Sequence, residues 1–274
     1  MRWTPQARGV WARALAMLAL AWLLAGAVAG CAAPGSRADD QDMPTASDDS
    51  DARRRARIRM ELAVGYFEQG KPEIALDEVK QVLAIDPTFG DAWNLRGLIY
   101  MRLGDNHLAE DSFKRAVAIN PRDGNAQHNL GWLLCQGSRY PEAQRAFEAA
   151  MASPLYPGRA KTLMAEGLCE ARAGKPEQAE RTLMRSYELD AGNPVTGYNL
   201  ALLLVRRGEL ERARFYIRRL NNSELANAES LWLGIRVERR LNDPVAMRQL
   251  GEQLRKRFPG SREAQAYDRG AYDE

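Results

Sequence analysis

Histidine and cysteine are scarce in this chain, which has only two histidines and three cysteines among its 274 residues. Most zinc sites and much general acid–base catalysis depend on these two residue types. The sequence also contains no Walker A loop and no G-x-S-x-G, H-E-x-x-H or C-x-x-C motif. These absences predict a protein that is not an enzyme, holds no metal ion or cofactor, and acts on no small-molecule substrate.

Net charge is also small, with 39 basic and 36 acidic residues. Arg2, Arg8 and Arg13 account for the whole excess, because the first 30 residues contain no acidic side chain. Proteins that bind nucleic acid carry basic surfaces that neutralise phosphates. The neutral remainder of the chain therefore predicts no nucleic-acid partner.

The first 30 residues have the layout of a secretory signal peptide. The three arginines precede an apolar run from Ala14 to Ala29, which ends in small residues. This run is shorter than the roughly 20 residues of a membrane-spanning helix, although its length alone leaves a single N-terminal anchor open. Residues 1–30 are therefore predicted to be a cleaved leader.

The leader ends in Val28-Ala29-Gly30-Cys31, which resembles the bacterial lipobox. In that motif a peptidase cleaves before the cysteine and the thiol is diacylated; a lone cysteine after an ordinary leader is the alternative. Ala32 stands where many proteobacteria place an inner-membrane retention aspartate. The resemblance implies a covalent lipid on Cys31, which anchors the protein to the periplasmic face of the outer membrane of a Gram-negative bacterium.

Residues 31–55 are predicted to be this acylated cysteine followed by a disordered acidic tether. Residues 32–55 contain six aspartates and almost no bulky apolar residue, a composition that buries too little surface to fold. A flexible segment of this length reaches about 25–30 Å. Arg53, Arg54 and Arg55 end the segment, where they could contact anionic lipid or lie in a solvated first helical turn.

From Ala56 onward a helical pattern recurs about every 34 residues. Second helices are marked by Ala75, Ala109, Ala143, Ala179, Ala213 and Ala246. Twelve residues before these alanines stand Ala63, Gly97, Gly131, Gly167, Ala201 and Gly234. Four units carry a turn glycine, at Gly70, Gly104, Gly174 and Gly208. Small residues at this spacing let two antiparallel helices approach closely, which is typical of the tetratricopeptide repeat.

The repeats predict an all-α fold, a right-handed superhelical solenoid of six tetratricopeptide repeats over residues 56–260. The units fall at about 56–89, 90–123, 124–157, 160–193, 194–227 and 227–260. Two extra residues between the third and fourth units lie near 153–157 and are expected to change the superhelix locally. Residues 261–274 are predicted to be a polar C-terminal tail, either frayed or docked as a short helix.

Repeat solenoids bind partners on their concave face, which the first helices line. The predicted partner groove consists of Met60, Val64, Phe67, Asn94, Leu98, Met101, His128, Trp132, Met164, Leu168, Tyr198 and Leu202. In the sixth unit the same pattern gives Leu231, Ile235 and Glu238. An exposed apolar strip of this kind suits an extended or helical peptide, although a tight superhelix or the C-terminal tail could cover part of it.

The fifth repeat is strongly basic, through Arg206, Arg207, Arg212, Arg214, Arg218 and Arg219. Such a run is usually a solvated helix face, and binding of an acidic partner or anionic lipid is the alternative.

Two of the cysteines lie in adjacent first helices, Cys135 four residues after Gly131 and Cys169 two residues after Gly167. At about 100° per residue these positions are about 200° apart around a helix, so one side chain faces the next repeat and the other faces back. An exported protein can form disulfides. This geometry favours a Cys135–Cys169 disulfide, with two buried free thiols as the alternative.

Several segments are similar to the type IV pilus biogenesis and stability lipoproteins of the PilF/PilW type. They are HNLGWLLCQGSRYPEAQRAF (128–147), LYPGR (155–159), EGLCEARAGKPEQAE (166–180), SLWLGIR (230–236) and LRKRFPGSREAQAY (254–267). The resemblance implies a pilotin that binds the type IV pilus secretin and promotes its localisation to the outer membrane and its assembly into multimers. The alternative is a lipoprotein adaptor for peptidoglycan hydrolases or outer-membrane protein assembly. An enzyme such as a lytic transglycosylase would need a separate globular domain, for which no residues remain.

Overall fold

The computed structural model describes residues 50–153 and 156–272. The predicted leader, Cys31 and most of the predicted tether lie outside the described residues. Within the described residues, no helix combines the length and apolar character needed to cross a membrane.

In that part of the chain the secondary structure is thirteen helices. They are α1 (Asp51–Glu68), α2 (Pro72–Ile85), α3 (Gly90–Leu103), α4 (Asn106–Ile119), α5 (Gly124–Gln136), α6 (Tyr140–Met151), α7 (Arg159–Arg172), α8 (Pro176–Leu189), α9 (Pro194–Arg206), α10 (Leu210–Asn221), α11 (Ala228–Arg240), α12 (Pro244–Arg257) and α13 (Arg262–Asp268). The first twelve pair into six antiparallel hairpins, and each hairpin packs against the next. The all-α solenoid of six tetratricopeptide repeats is confirmed.

The first repeat begins at Asp51, five residues before the boundary expected at residue 56 and inside the segment expected to be tether. Ser50 caps the helix, since its side chain accepts a hydrogen bond from the backbone N–H of Arg53. Arg53 then forms an ion pair with Asp86 and lies 3.9 Å from the centroid of the Phe89 ring. These contacts hold the first helical turn against the connection between α2 and α3, so the three arginines belong to the folded domain.

Glycines in the first helices allow the close approach that the repeat spacing predicted. A Cβ atom on Gly97 would overlap the ring of Phe113, and one on Gly131 would overlap the ring of Phe147. Both phenylalanines are completely buried. Each aromatic ring of a second helix therefore fills the space that the missing side chain leaves in the first.

The turns between paired helices define the register of the repeats. Backbone in the left-handed region occurs at Gly70, Gly104, Gly174 and Gly208, as the sequence predicted, and also at Ser138 and Asn242. Asn242 lies 34 residues after Gly208, so the sixth repeat keeps the common spacing. The alignment of this repeat on Gly234 and Ala246 is wrong by one residue, because Ile235 and Met247 hold the equivalent positions.

The insertion between the third and fourth repeats is anchored by Tyr156. Its ring is buried in the space that the missing side chains of Gly124 and Gly158 leave, where a Cβ atom on either glycine would overlap it. Its hydroxyl lies 3.1 Å from the Oγ1 atom of Thr162 in α7. The extra residues thus bring an aromatic side chain back into the junction between the two repeats.

The C-terminal segment is docked rather than frayed. Helix α13 places Tyr267 over Gly251, where a Cβ atom would overlap its ring. Leu254 and Ala264 are buried in one cluster with residues of α11. Because α13 covers the apolar side of the last hairpin, it closes the core at that end.

Candidate functional site

The predicted groove residues all lie on first helices, and all except His128 are partly or fully exposed. Leu98 and Met101 of α3, Trp132 of α5 and Met164 of α7 meet in one cleft of about 500 Å³. The floor includes Ala165, and Asn129 donates a hydrogen bond to Asn94 across the helices at 2.9 Å. The second to fourth repeats therefore form an apolar cleft that is open to solvent.

The charge around this cleft is positive. Arg102 and Lys161 line it, and the guanidinium of Arg172 lies 5.1 Å from the centroid of the Trp132 ring. The described side chains that line the cleft include no carboxylate. A segment with negative charge and large apolar side chains complements such a surface. Sequence analysis missed these three cations, which a search for basic residues one turn beyond the groove positions would have found.

His128 is the one predicted groove residue that is buried, with 5% of its surface exposed. Its Nδ1 atom lies 2.9 Å from the Thr162 hydroxyl oxygen. Burial, reinforced by the positive charge of Lys161, lowers the pKa of the imidazole from 6.5 to about 4. His128 is therefore a neutral, hydrogen-bonded residue in the wall of the cleft, and its role as a freely exposed contact was wrong.

The other predicted groove residues do not join the central cleft. Met60, Val64 and Phe67 lie on α1, where the guanidinium of Arg102 lies 5.5 Å from the Phe67 ring centroid. Tyr198 of α9 lines a separate cleft of about 340 Å³. Leu168 of α7 and Leu202 of α9 are half-buried. The concave face is therefore divided into several sites rather than forming one uniform strip.

In the sixth repeat the positions predicted to be concave are Leu231, Ile235 and Glu238, and all three are fully buried. Because the register is shifted by one residue, the concave positions are instead Trp232, Arg236 and Arg239. Tyr272 stacks on Trp232, with ring centroids 5.7 Å apart and an interplanar angle of 22°. The guanidinium of Arg239 lies 4.8 Å from the centroid of the same tyrosine ring. The C-terminal segment therefore covers the concave face of this repeat, one of the two outcomes expected from the sequence.

The structure joins Cys135 and Cys169 in a disulfide, with Cα atoms 5.8 Å apart. Both residues are buried, and they connect α5 to α7 beside the insertion. The bond closes a loop of 34 residues. It constrains the junction at which the repeat spacing changes.

Most arginines of the fifth repeat form ion pairs with carboxylates of neighbouring repeats. Arg212 pairs with Glu180 at 2.6 Å, and Arg207 pairs with the same carboxylate. Arg214 and Arg218 both contact Glu238, which is fully buried, at 3.0 and 2.7 Å. The sequence favoured a solvated helix face over a binding patch, and the structure shows that four of the six arginines form ion pairs with neighbouring repeats.

Two glutamates are buried on the opposite side of α7, at a cleft of about 560 Å³ between α6 and α8. Glu166 and Glu170 are each 8% exposed. Burial, together with the negative charges of Glu170 and Glu148, raises the pKa of Glu166 to about 7. The pKa of Glu170 is also raised by burial, and its Oε2 atom has no hydrogen-bond partner among the described residues. The fold therefore holds Glu166 partly protonated near neutral pH.

Two family models, both described as tetratricopeptide repeat, match residues 89–153 and 128–194 of this chain. These ranges include the central cleft, the disulfide and the insertion between the third and fourth repeats.

Similarity to individual proteins extends over most of the chain. It is 30% identical over 249 residues to a Pseudomonas aeruginosa protein named type IV pilus assembly protein PilF, covering 91% of this chain and 96% of that protein. A solved structure of P. aeruginosa PilF matches with a TM-score of 0.71 and 30% identity, over 80% of this chain and 99% of that one. A crystal structure of PilW, described as a widely conserved type IV pilus biogenesis factor, matches with a TM-score of 0.71 and 30% identity, over 77% and 97% of the two chains.

Proposed function

This chain belongs to the family of tetratricopeptide-repeat proteins of type IV pilus assembly that includes PilF and PilW, and from that membership we propose that it acts in type IV pilus biogenesis as a pilotin. In this role it binds subunits of the secretin and promotes their assembly into multimers in the outer membrane. The relationship spans nearly the full length of both proteins, so the proposal concerns the whole solenoid rather than one generic repeat.

The central cleft is the observation that carries the proposal. Leu98, Met101, Trp132 and Met164 expose apolar surface on three successive repeats around about 500 Å³ of accessible space. Concave sites lined mainly by apolar side chains with a few polar groups are where proteins usually bind ligands and partner segments. A groove of this kind binds a segment of another protein without turnover, which is the chemistry a pilotin needs.

Cys31 supplies the second part of the proposed mechanism. Acyl chains on its thiol hold the protein at the periplasmic face of the outer membrane, because each buried methylene contributes about 0.8 kcal/mol. Secretin subunits bound by the solenoid are then delivered to the same membrane. Neighbouring secretin subunits replace the groove as the ring assembles, so the pilotin acts by mass action.

The test measures heat-resistant secretin multimers on gels of membranes from a strain that lacks this protein. The wild-type gene is expected to restore the multimers, whereas Cys31→Ala is not. Trp132→Glu in the cleft should also fail, while Phe215→Glu is the matched control, because Phe215 is 60% exposed on α10 and lies outside the cleft. Circular dichroism checks that both glutamate variants stay helical.

Four outcomes would contradict the proposal or a part of it. Restoration by Cys31→Ala would remove the lipid from the mechanism, and restoration by Trp132→Glu would remove the cleft. Normal multimers without surface pili in the deletion strain would move the function to fibre stability. Normal multimers together with normal pili would favour an adaptor for peptidoglycan hydrolases or outer-membrane protein assembly.

A further inference from the structure

The chain itself shows what one part of its concave face accepts. Tyr272 lies flat on the indole of Trp232 at 5.7 Å between ring centroids, with the guanidinium of Arg239 at 4.8 Å. In the sequence this tyrosine is followed by Asp273 and Glu274. An aromatic side chain next to acidic residues therefore occupies a concave position of the sixth repeat.

The same chemical groups recur in the central cleft. Trp132 provides an indole, and Arg172 provides a guanidinium 5.1 Å from its ring centroid. Leu98, Met101 and Met164 surround this indole with flexible apolar side chains. Tryptophan faces and methionine thioethers both favour contact with an aromatic ring. The central cleft thus offers an indole and a guanidinium, the two groups that contact Tyr272 in the sixth repeat, and here the guanidinium lies against the indole itself.

The cations of the central cleft differ from those of the fifth repeat in whether carboxylates neutralise them. Arg207, Arg212, Arg214 and Arg218 are neutralised by carboxylates. Among the described residues, none of the cleft cations Arg102, Lys161 and Arg172 has an ion pair with a carboxylate. Their charge is therefore available to an acidic ligand.

We propose that the central cleft selects an acidic segment of its partner that carries an aromatic side chain. The aromatic ring packs against Trp132 between the apolar side chains, and carboxylates beside it in the sequence pair with Lys161 and the arginines at the rim. The proposal deepens the proposed function, because it names the chemistry of the secretin segment that the cleft would bind. A basic segment is rejected, since it would bring like charges together.

The test measures fluorescence anisotropy of labelled synthetic peptides with the purified protein. The probe is the peptide SDEAYDES, and the comparison peptides are SDEAADES, without the ring, and SKKAYKKS, with the charges reversed. The acidic tyrosine peptide should bind about tenfold more tightly than either. Its affinity should fall as salt is raised, because the rim charges are exposed.

Matched variants localise the binding. Lys161→Glu is expected to lower the affinity for the acidic tyrosine peptide by about tenfold or more. Lys175→Glu makes the same charge change in the turn after α7, away from the lining of the cleft, and should leave the affinity within about twofold. Trp132→Leu should remove the difference between SDEAYDES and SDEAADES. Equal effects of the two lysine variants, equal binding of the basic peptide, or no binding up to about 1 mM would overturn the inference.

The secretin assay separates this inference from the function on which it rests. If Trp132→Glu abolishes secretin multimers while the peptides show no preference, the pilotin proposal stands and the ligand chemistry is wrong. If the peptides bind as expected and multimers form normally with Trp132→Glu, the ligand chemistry stands and the partner is another protein.

Discussion

The imidazole of His128 in the third repeat and the hydroxyl of Thr162 in the fourth lie 2.9 Å apart. The hydroxyl of Tyr156, from the insertion between these repeats, lies 3.1 Å from the same threonine oxygen. One buried threonine therefore connects the first helix of the third repeat, the insertion and the first helix of the fourth repeat. This polar contact lies in the wall of the central cleft, where the geometry of two repeats must be held constant.

The first prediction concerns the stability of the fold at acidic pH. A base whose pKa is lowered on folding contributes stability above its unfolded pKa, and this stability is lost as pH falls toward the folded value. For His128 that range runs from 6.5 to about 4, and the loss by pH 4.5 is about 2 kcal/mol. His128→Asn should lose less stability than wild type between pH 7 and pH 4.5 in urea denaturation. An equal loss in both proteins would show that the imidazole is not the group that titrates.

The second prediction concerns a loss of stability as the pH rises, the opposite of the effect expected from His128. An acid whose pKa is raised on folding contributes stability below its unfolded pKa, and this is lost as pH rises through the folded value. For Glu166 the range runs from 4.5 to about 7, so the wild type should lose about 2 kcal/mol between pH 5 and pH 8 from this group. Glu166→Gln should remove most of this loss and should be more stable than wild type at pH 8. Carboxyl chemical shifts measured by NMR would give the pKa directly.

The third prediction concerns the disulfide. A bond that closes a loop of 34 residues stabilises the folded state by about 3–4 kcal/mol through the entropy of the unfolded chain. Reductant should lower the denaturation midpoint of the wild type by the corresponding amount. The variant with Cys135→Ser and Cys169→Ser should match the reduced protein and should not respond to reductant. A wild type that is equally stable with and without reductant would show that the bond adds no stability.

The fourth prediction compares two glycines in first helices. A Cβ atom on Gly97 would overlap the ring of Phe113, whereas one on Gly65 would meet nothing within 4 Å. Gly97→Ala should therefore cost about 1–3 kcal/mol through overpacking. Gly65→Ala should stabilise the protein by about 0.5–1 kcal/mol, because alanine favours the helix. Thermal melts should show a lower Tm for Gly97→Ala and a higher Tm for Gly65→Ala. A rise in Tm for both variants would contradict the close packing at Gly97.

The repeat architecture was predictable because its signals are local. Gly70, Gly104, Gly174 and Gly208 occupy turns that require left-handed backbone, and Gly97 and Gly131 occupy sites of close helix approach. The sixth repeat was misaligned because its turn uses Asn242, while Gly234 and Ala246 imitate the expected small residues one position away. A local pattern could not distinguish these two registers, but the spacing from Gly208 does.

Contacts between repeats were harder to predict. The arginines of the fifth repeat indicated a basic surface because the sequence does not show that Glu180 and Glu238 face them. His128 fitted the groove pattern, but its burial depends on Tyr156 and Thr162, which an irregular insertion brings together. The start at Asp51 depends on the Ser50 cap and on contacts of Arg53 with the connection between α2 and α3, so charge composition alone assigned those residues to the tether.

The stacking of Tyr272 on Trp232 limits the length of the ligand that the concave face can hold. Because this tyrosine is part of the same chain, it competes for its site at an effective concentration in the millimolar range. A segment bound on the concave face must therefore displace the tyrosine before it can occupy the sixth repeat. The C-terminal segment thus acts as a built-in competitor at that end of the solenoid.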